Sequence, residues 1–240
     1  MAEFETVRRA GAGVRTAEID AGLRAHMNKV YGLMSVAMVI TGVVAYVVGN
    51  SEAMLMAIFG SPLKWVVMFA PLAVVFGFSA SIHKISTATA QLVFWVFSGL
   101  MGLSISYIFA VYTGFSIAQT FLVTAIAFAG LSLYGYTTKR DISGWGSFLI
   151  MGVIGLIVAM IVNIFLQSAA IMFAVSALGV LIFAGLTAYD TQKIKNGYLM
   201  LRASGGEEYA GKAAITGALS LYLDFLNMFL FLLQFMGNRQ

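Results

Sequence analysis

The chain has 240 residues, a formal net charge of +4, 60% hydrophobic residues and only 10% charged residues, and its mean hydropathy is +0.92. Because a soluble domain carries about 25% charged residues, this composition excludes a soluble globular protein and predicts a chain covered by lipid. The lack of cysteine rules out disulfides, thiolate metal sites and cysteine nucleophiles, and the small positive charge, without a basic helix or an aromatic–basic patch, does not predict nucleic-acid binding.

The first segment is charged and contains no apolar stretch before Val30. Its basic residues are Arg8, Arg9, Arg15, Arg24 and Lys29, and its acidic residues are Glu3, Glu5, Glu18 and Asp20. This pattern differs from that of a cleavable signal peptide, which places a short apolar region before a small-residue cleavage site. We therefore predict a cytosolic N-terminal arm over residues 1–29 and a seven-helix transmembrane domain over residues 30–240, whose first span is an uncleaved anchor.

Seven apolar segments follow, each close to the roughly 20 residues that a helix needs to cross a bilayer. They are Val30–Val48, Trp65–Ile82, Ala90–Tyr112, Phe115–Tyr136, Trp145–Gln167, Ala169–Tyr189 and Ala213–Met236. The segments are apolar on every side, whereas the strands of a membrane barrel alternate in polarity. The sequence therefore predicts an all-α membrane protein whose consecutive helices, joined by short turns, are antiparallel neighbours.

The basic residues of the loops are distributed unevenly between the two sides of the predicted bundle. All of the chain's Lys and Arg residues except Lys64 and Arg239 fall in the N-terminal arm or in the loops after spans 2, 4 and 6. Since positive charge accumulates on the cytoplasmic side, we predict a cytoplasmic N-terminus and a C-terminus outside. The same count supports an odd number of spans.

Two acidic residues, Asp190 and Asp224, lie within or directly against apolar spans, whereas the other acids lie in the arm or in loops. A charged aspartate at the bilayer centre costs about 2.5–3.5 kcal/mol, so such residues usually face the bundle interior and mark an ion or proton path. Ser220 and Asn227 share the helix face of Asp224 at i−4 and i+3. The alternative is a protonated Asp224 that hydrogen-bonds across the bundle and joins helices.

Asp190 ends the predicted sixth span, where it has an equally simple alternative as an interfacial acid paired with Lys193 at i+3. Counted from Ala169, Asp190 lies roughly 32 Å along its helix, whereas Asp224 lies roughly 16 Å into the last span. The two depths differ by about half of a membrane core. Helix tilt or a recessed last helix could remove this difference.

A pair of carboxylates in this setting predicts a site for calcium that protons contest. Calcium takes six to eight oxygen ligands, and the pair supplies up to four, with Asn227, backbone carbonyls and water as further donors. Two close carboxylates in a low dielectric do not both ionise easily, so they are expected to titrate as a unit. A loose, partly hydrated site suits a leak because the ion must be able to leave.

Other polar residues near the span ends are weaker candidates. His83 and Lys84 follow span 2 and could pair with Asp190 or serve as interfacial anchors. Asn163 and Gln167, near the outer end of span 5, could line an outer vestibule or bridge helices.

An enzyme is not predicted, because the chain has no HExxH, GxSxG or P-loop pattern. An intramembrane aspartyl protease would also need two membrane aspartates. Tyr189-Asp190 matches half of its signature, but Leu223-Asp224 lacks the required glycines.

Three blocks of the sequence resemble the Bax inhibitor-1 family, also called the transmembrane Bax inhibitor motif family. They are Gly185–Gln192, Leu221–Asn227, and Tyr134–Asp141 running into Gly144–Phe148, the last being typical of bacterial members. The resemblance covers all seven spans. It implies a fold in which six helices surround the last one, in a multi-pass protein of the bacterial inner (plasma) membrane.

The resemblance also implies a function, a pH-sensitive calcium leak through an aspartate pair in spans 6 and 7, which corresponds to Asp190 and Asp224. Calcium is then the transported ion, and no cofactor is expected. Some members pair these acids with an arginine of span 2, but Trp65–Ile82 contains none. Either His83 or Lys84 replaces it, or the latch of the closed state differs, and together with Ser220 and Asn227 these residues are candidates for gate or pore-lining positions. Bacterial relatives are also linked to membrane proteases, which implies the alternative of a regulator that binds a membrane protease without ion flux.

Overall fold

The apolar segments form long helices in the computed structural model, which describes residues 2–204 and 209–240, with side chains described from Asp20 onward. The helices are α1 (Ala2–Gly49), α2 (Glu52–Phe59), α3 (Leu63–Ser81), α4 (Thr87–Ile105), α5 (Ile108–Val111), α6 (Gly114–Thr137), α7 (Trp145–Leu166), α8 (Ala169–Ala203) and α9 (Ala210–Met236). Seven helical segments, with α4 and α5 taken together, are long and apolar enough to cross a membrane. The prediction of an all-α protein with seven spans is confirmed.

Three of the spans begin where a hydroxyl side chain accepts a hydrogen bond from a free backbone N–H. The backbone N–H groups of Thr89, Ser116 and Ile171 donate to the hydroxyls of Ser86, Thr113 and Ser168, at the starts of α4, α6 and α8. Since the first N–H groups of a helix have no partner within it, these caps define where these three spans start.

The corner between α7 and α8 is a tight turn of two residues. Gln167 adopts a left-handed conformation with a φ of 48°, and the side-chain oxygen of Asn163 accepts a hydrogen bond of 2.9 Å from the Ser168 N–H. Asn163 thus bridges the two helices, which is one of the two roles that the sequence suggested for it. Asn163 and Gln167 also line a cavity of about 560 Å³ at this end of the bundle, so the vestibule interpretation stays open.

The short helix α2 lies between the first two spans and was not predicted. Ser51 caps it by accepting a hydrogen bond from the Met54 N–H. Its eight residues are too few to cross a bilayer, which is why a search for long apolar segments overlooks it.

The last helix, α9, lies at the centre of the bundle. Its span is 67% buried, whereas the corresponding values for the other spans lie between 17% and 39%. It packs against α8, α1, α6 and α4, and the side chains of Leu221, Tyr222 and Leu226 are almost completely buried. The implied arrangement of six helices around the last one is confirmed.

One end of the bundle, which we call the basic end, contains the α3–α4, α6–α7 and α8–α9 connections. It carries Lys84, Lys139, Arg140, Lys193, Lys195, Arg202 and Lys212. The charge distribution used to predict the orientation is therefore present in the fold, while the cytoplasmic placement of this end stays a prediction.

The predicted N-terminal arm over residues 1–29 is continuous with the first span. Within its described side chains, Leu23 and Met27 are buried and pack against Tyr198 of α8. The boundary of the arm stays a prediction, since the side chains before Asp20 lie outside the described part of the chain. The longest loop expected from the sequence, Asp190–Lys212, is for the most part the continuation of α8 to Ala203, and residues 205–208 within it lie outside the described part.

Candidate functional site

A cavity of about 430 Å³ opens at the basic end, between the ends of four helices. α8 contributes Asp190 and Lys193, and α9 contributes Ser220. His26 of α1, His83, which follows α3, and Lys212 and Thr216 of α9 also line the cavity. The cavity therefore brings together groups from both predicted aspartate-bearing spans and from the first two spans.

Asp190 is half-buried and lines this cavity. Lys193, one turn further along α8, is exposed and interacts electrostatically with Asp190. Its ammonium nitrogen also lies 5.8 Å from the centre of the Tyr189 ring. The cation that interacts with Asp190 is thus carried by the same helix, α8.

Asp224 lies one turn beyond Ser220 on the central helix and is only 4% exposed. It interacts electrostatically with Asp190 and with Lys193. Among the described residues, nothing donates a hydrogen bond to the Oδ2 atom of Asp224, although this atom is buried. An unsatisfied buried carboxyl oxygen is costly, so this atom is suited to receive a proton, a water molecule or a cation.

The expected difference in depth between the two aspartates does not occur. The sixth span was predicted to end at Tyr189, but α8 continues to Ala203. Asp190 therefore lies roughly 20 Å from the end of α8, and Asp224 lies roughly 21 Å from the start of α9. Because Gly179 lies against Phe231 and Gly217 lies against Ile194, α8 and α9 are antiparallel neighbours. This register brings Asp190 and Asp224 to within about one helical turn of the same level.

The other candidates differ in their relation to this site. Ser220 lies between the cavity and Asp224. His83 is exposed, and its backbone oxygen accepts a hydrogen bond of 3.3 Å from the Lys212 ammonium. Asn227 is half-buried and donates to the Leu223 backbone oxygen at 2.8 Å. Lys84 is exposed and does not line the cavity.

His26 is a lining residue that sequence analysis did not single out. It is 6% exposed, and its ring stacks on the Tyr198 ring with 4.7 Å between the centroids. The sequence analysis overlooked His26 because it lies in the segment that was interpreted as a cytosolic arm. The spacing of Leu23, Met27 and Val30, which puts an apolar stripe through this segment, was the signal that it belongs to the bundle.

The connection between α6 and α7 is fixed to α8 by one side chain. The Gln192 amide oxygen accepts from the Ile142 N–H at 2.9 Å, and its amide nitrogen donates to the Arg140 backbone oxygen at 2.8 Å. Two of the three family-like blocks meet at this point. In the same connection, hydrogen bonds from the side chain and the backbone of Ser143 hold the pKa of Asp141 below its usual value.

Aromatic side chains pack together between the central helix and α6. The ring of Phe225 lies 5.4 Å from that of Phe121 and 5.5 Å from that of Phe128, between centroids. Phe229 also contacts Phe121. These rings form an aromatic layer between the two helices.

The two aspartates offer few protein ligands for a metal ion. Within the described residues, no group of three or more His, Asp or Glu side chains is placed to hold a metal ion. Calcium requires six to eight oxygens, so two carboxylates would leave most of its ligands to water and backbone oxygens.

Comparison with known proteins gives a consistent set of relatives. Residues 23–240 match the family model described as inhibitor of apoptosis-promoting Bax1. The inner membrane protein YbhL of Escherichia coli K12 is 47% identical over 92% of this chain and 94% of its own length. Uncharacterized proteins of Rickettsia prowazekii and Caulobacter vibrioides are 45% and 46% identical, each over 92% of both chains.

Proposed function

Because the chain belongs to the Bax inhibitor-1 family, we propose that it is a pH-sensitive calcium leak of the bacterial inner membrane, gated by protonation of the Asp190–Asp224 pair. A relative that shares 47% of its residues is named an inner membrane protein, and seven segments are able to cross a membrane. The bilayer is therefore its surroundings, and calcium and protons are its proposed ligands.

The observation that carries this proposal is the environment of Asp224. Its carboxyl group lies on the central helix, is 4% exposed, and has an oxygen without a partner among the described residues. An acid that served only to join helices would use its oxygens in hydrogen bonds across the bundle. The unsatisfied oxygen favours a group that exchanges a proton or an ion.

In the proposed mechanism, calcium enters the basic-end cavity, where Asp190 attracts it, and passes Ser220 to reach Asp224. Protons compete for the same oxygens, because a carboxyl must lose its proton before it binds the metal. Passage then requires displacement of Phe225 from the aromatic layer that it forms with Phe121 and Phe128. Asp190 lies on α8 and Asp224 lies on α9, and these two helices pack closely against each other. A change in the charge of the pair therefore acts on both helices and, through α9, on the aromatic layer.

The first prediction concerns the two carboxyls themselves. Protein reconstituted into liposomes with an internal calcium indicator should conduct calcium in a pH-dependent manner. We expect Asp190→Asn and Asp224→Asn each to remove most of the pH response, because a single carboxyl has no partner with which to share a proton. Glu52→Gln, at an exposed acid on the opposite end, is the control and should behave like the unmodified protein. Unchanged flux and an unchanged pH profile in both aspartate variants would refute the proposal.

A further inference from the structure

The side of the bundle between α1 and α6 is open. Both helices pack against α8 and α9, but within the described residues their backbones do not pack closely against each other. Two cavities fill the space between them, one of about 470 Å³ towards the basic end and one of about 520 Å³ towards the other end. A gap of this kind between two membrane-spanning helices faces the lipid.

The cavity towards the basic end, which we call the α1–α6 groove, combines an apolar wall with a cationic mouth. Phe128, Ala129 and Leu133 form the wall on α6, and Arg24 and Asn28 lie at the mouth on α1. Arg24 is exposed, and among the described residues no hydrogen bond or ion pair engages its side chain. A guanidinium in this state is available for an anion.

A second cation lies beside the mouth of the groove. The Lys195 ammonium donates to the Tyr136 backbone oxygen at 2.7 Å and lies 5.8 Å from the centre of the Tyr136 ring. Tyr136 itself lines the groove. The nearest acid on α1, Asp20, lies one turn outside Arg24 and does not line the groove. The mouth therefore has a positive potential.

A chain of hydroxyl groups forms the floor of the groove. The Tyr31 hydroxyl lies 2.6 Å from the Ser132 hydroxyl, which lies 2.9 Å from that of Thr191 on α8. Thr191 in turn donates to the Thr187 backbone oxygen. These bonds hold α1 and α6 at a fixed separation, so the groove is built into the fold rather than left by loose packing.

The dimensions of the groove match one leaflet of a bilayer. Arg24 and Tyr31 are seven residues apart, or roughly 10 Å along α1, and Tyr136 and Phe128 are eight apart, or roughly 12 Å along α6. Half of a hydrocarbon core is about 15 Å. A group bound at Arg24 would thus lie at headgroup level, with the apolar wall beneath it at acyl-chain depth.

We propose that the α1–α6 groove binds an anionic phospholipid, whose phosphate lies against Arg24 and whose acyl chain lies along Phe128, Ala129 and Leu133. The positive mouth selects a lipid with net negative charge over a zwitterionic one, since basic residues near the headgroups attract anionic lipids. Neither aspartate lines this site, although Phe128 belongs both to its wall and to the aromatic layer beside Phe225.

The test is native mass spectrometry of the purified full-length protein mixed with dioleoylphosphatidylglycerol or with dioleoylphosphatidylcholine. We expect retention of the anionic lipid over the zwitterionic one. Arg24→Gln should reduce this preference about fivefold, the effect of one cation near an anionic headgroup. Lys139→Gln, an exposed cation of the same end outside the groove, is the matched control and should keep the preference.

A second pair of variants fills the groove without changing charge. Ala129→Trp should abolish the retained lipid, whereas Ile126→Trp, on the same helix at a residue that is 67% exposed and outside the groove, should keep it. Equal retention of both lipids by the unmodified protein, or full retention by both Ala129→Trp and Arg24→Gln, would overturn the proposal. If Ala129→Trp instead separates a dimer and leaves the bound lipid in place, the groove holds a second copy of the chain and the proposal is wrong.

Discussion

At the residue scale, Asp190 and Asp224 form one electrostatic system with Lys193. Lys193 interacts with both carboxyl groups, and a nearby cation favours the ionised form of a carboxyl group. One charge that opposes the pair therefore comes from α8 itself. The roles predicted for His83 and Lys84 stay predictions.

Removal of this cation should move the pH response of calcium flux. In Lys193→Gln the ionised pair loses a favourable interaction, so we expect the midpoint of the flux–pH curve in proteoliposomes to shift to higher pH. Lys195→Gln is the matched control, because its ammonium is bonded to the Tyr136 backbone oxygen on the other side of α8. Equal midpoints in the unmodified protein and Lys193→Gln would show that Lys193 does not act on the pair.

The sequence was sufficient to select the two aspartates, because no other acid lies in an apolar span. The pairing of Lys193 with Asp190 was one of the two interpretations of Asp190, and the two residues do interact electrostatically. The sequence was not sufficient to identify His26, because this residue lies in a segment that was interpreted as an arm. Whether a charged residue near a span end lies in water or in the bundle depends on the neighbouring helices, which the local pattern does not describe.

At the element scale, α8 is the helix that the sequence described least well. The sixth span was predicted to end at Tyr189 because the hydropathy of the sequence falls after this residue. The helix nevertheless continues for another fourteen residues to Ala203. Thr191, Gln192 and Tyr198 are buried in this extension. The extension is amphipathic rather than apolar, so a search for apolar segments misses it, and the apparent mismatch in aspartate depth followed from that omission.

The contact between α6 and α8 depends on Gly135. A Cβ atom at this position would collide with the backbone oxygen of Ala188, and backbone cannot move aside as a flexible side chain can. We expect Gly135→Leu to lower the free energy of unfolding by about 1–3 kcal/mol, a typical cost of overpacking, measured as a reduced midpoint of thermal unfolding in detergent. Gly130→Leu, on the same helix with nothing within 4 Å of the added atom, should have little effect. Similar midpoints for both variants would contradict the assigned contact.

At the scale of the whole molecule, the fold follows from composition. Six helices expose apolar side chains to lipid and enclose one buried helix, α9, that carries Asp224. The number of spans and the central helix were predictable, the first from hydropathy and the second from the family resemblance. The cavities were not predictable, because they depend on which helices leave gaps between them.

The orientation of the molecule is open to a direct test, since the chain has no native cysteine. We expect Glu52→Cys, at an exposed residue of the end opposite to the basic end, to react with a membrane-impermeant maleimide added to intact spheroplasts. Lys139→Cys, an exposed residue of the basic end, should react only after lysis. The reverse pattern would contradict a cytoplasmic N-terminus.

The alternative of a regulator that binds a membrane protease without ion flux stays a prediction. Its candidate binding surfaces are the N-terminal arm and the lipid-facing sides of the helices, and the side chains before Asp20 lie outside the described part of the chain. A leak through the aspartates does not need those residues, whereas a partner that binds the arm does.

The competition between protons and calcium for one pair of carboxyls is the central claim, and the calcium dependence of flux at several pH values tests it most directly. With proteoliposomes of the unmodified protein, the calcium concentration for half-maximal flux should rise as the pH falls through the range of the pH response. The rise should approach about tenfold per pH unit for each proton that calcium displaces. A half-maximal concentration that stays constant while the maximal flux changes with pH would contradict the claim.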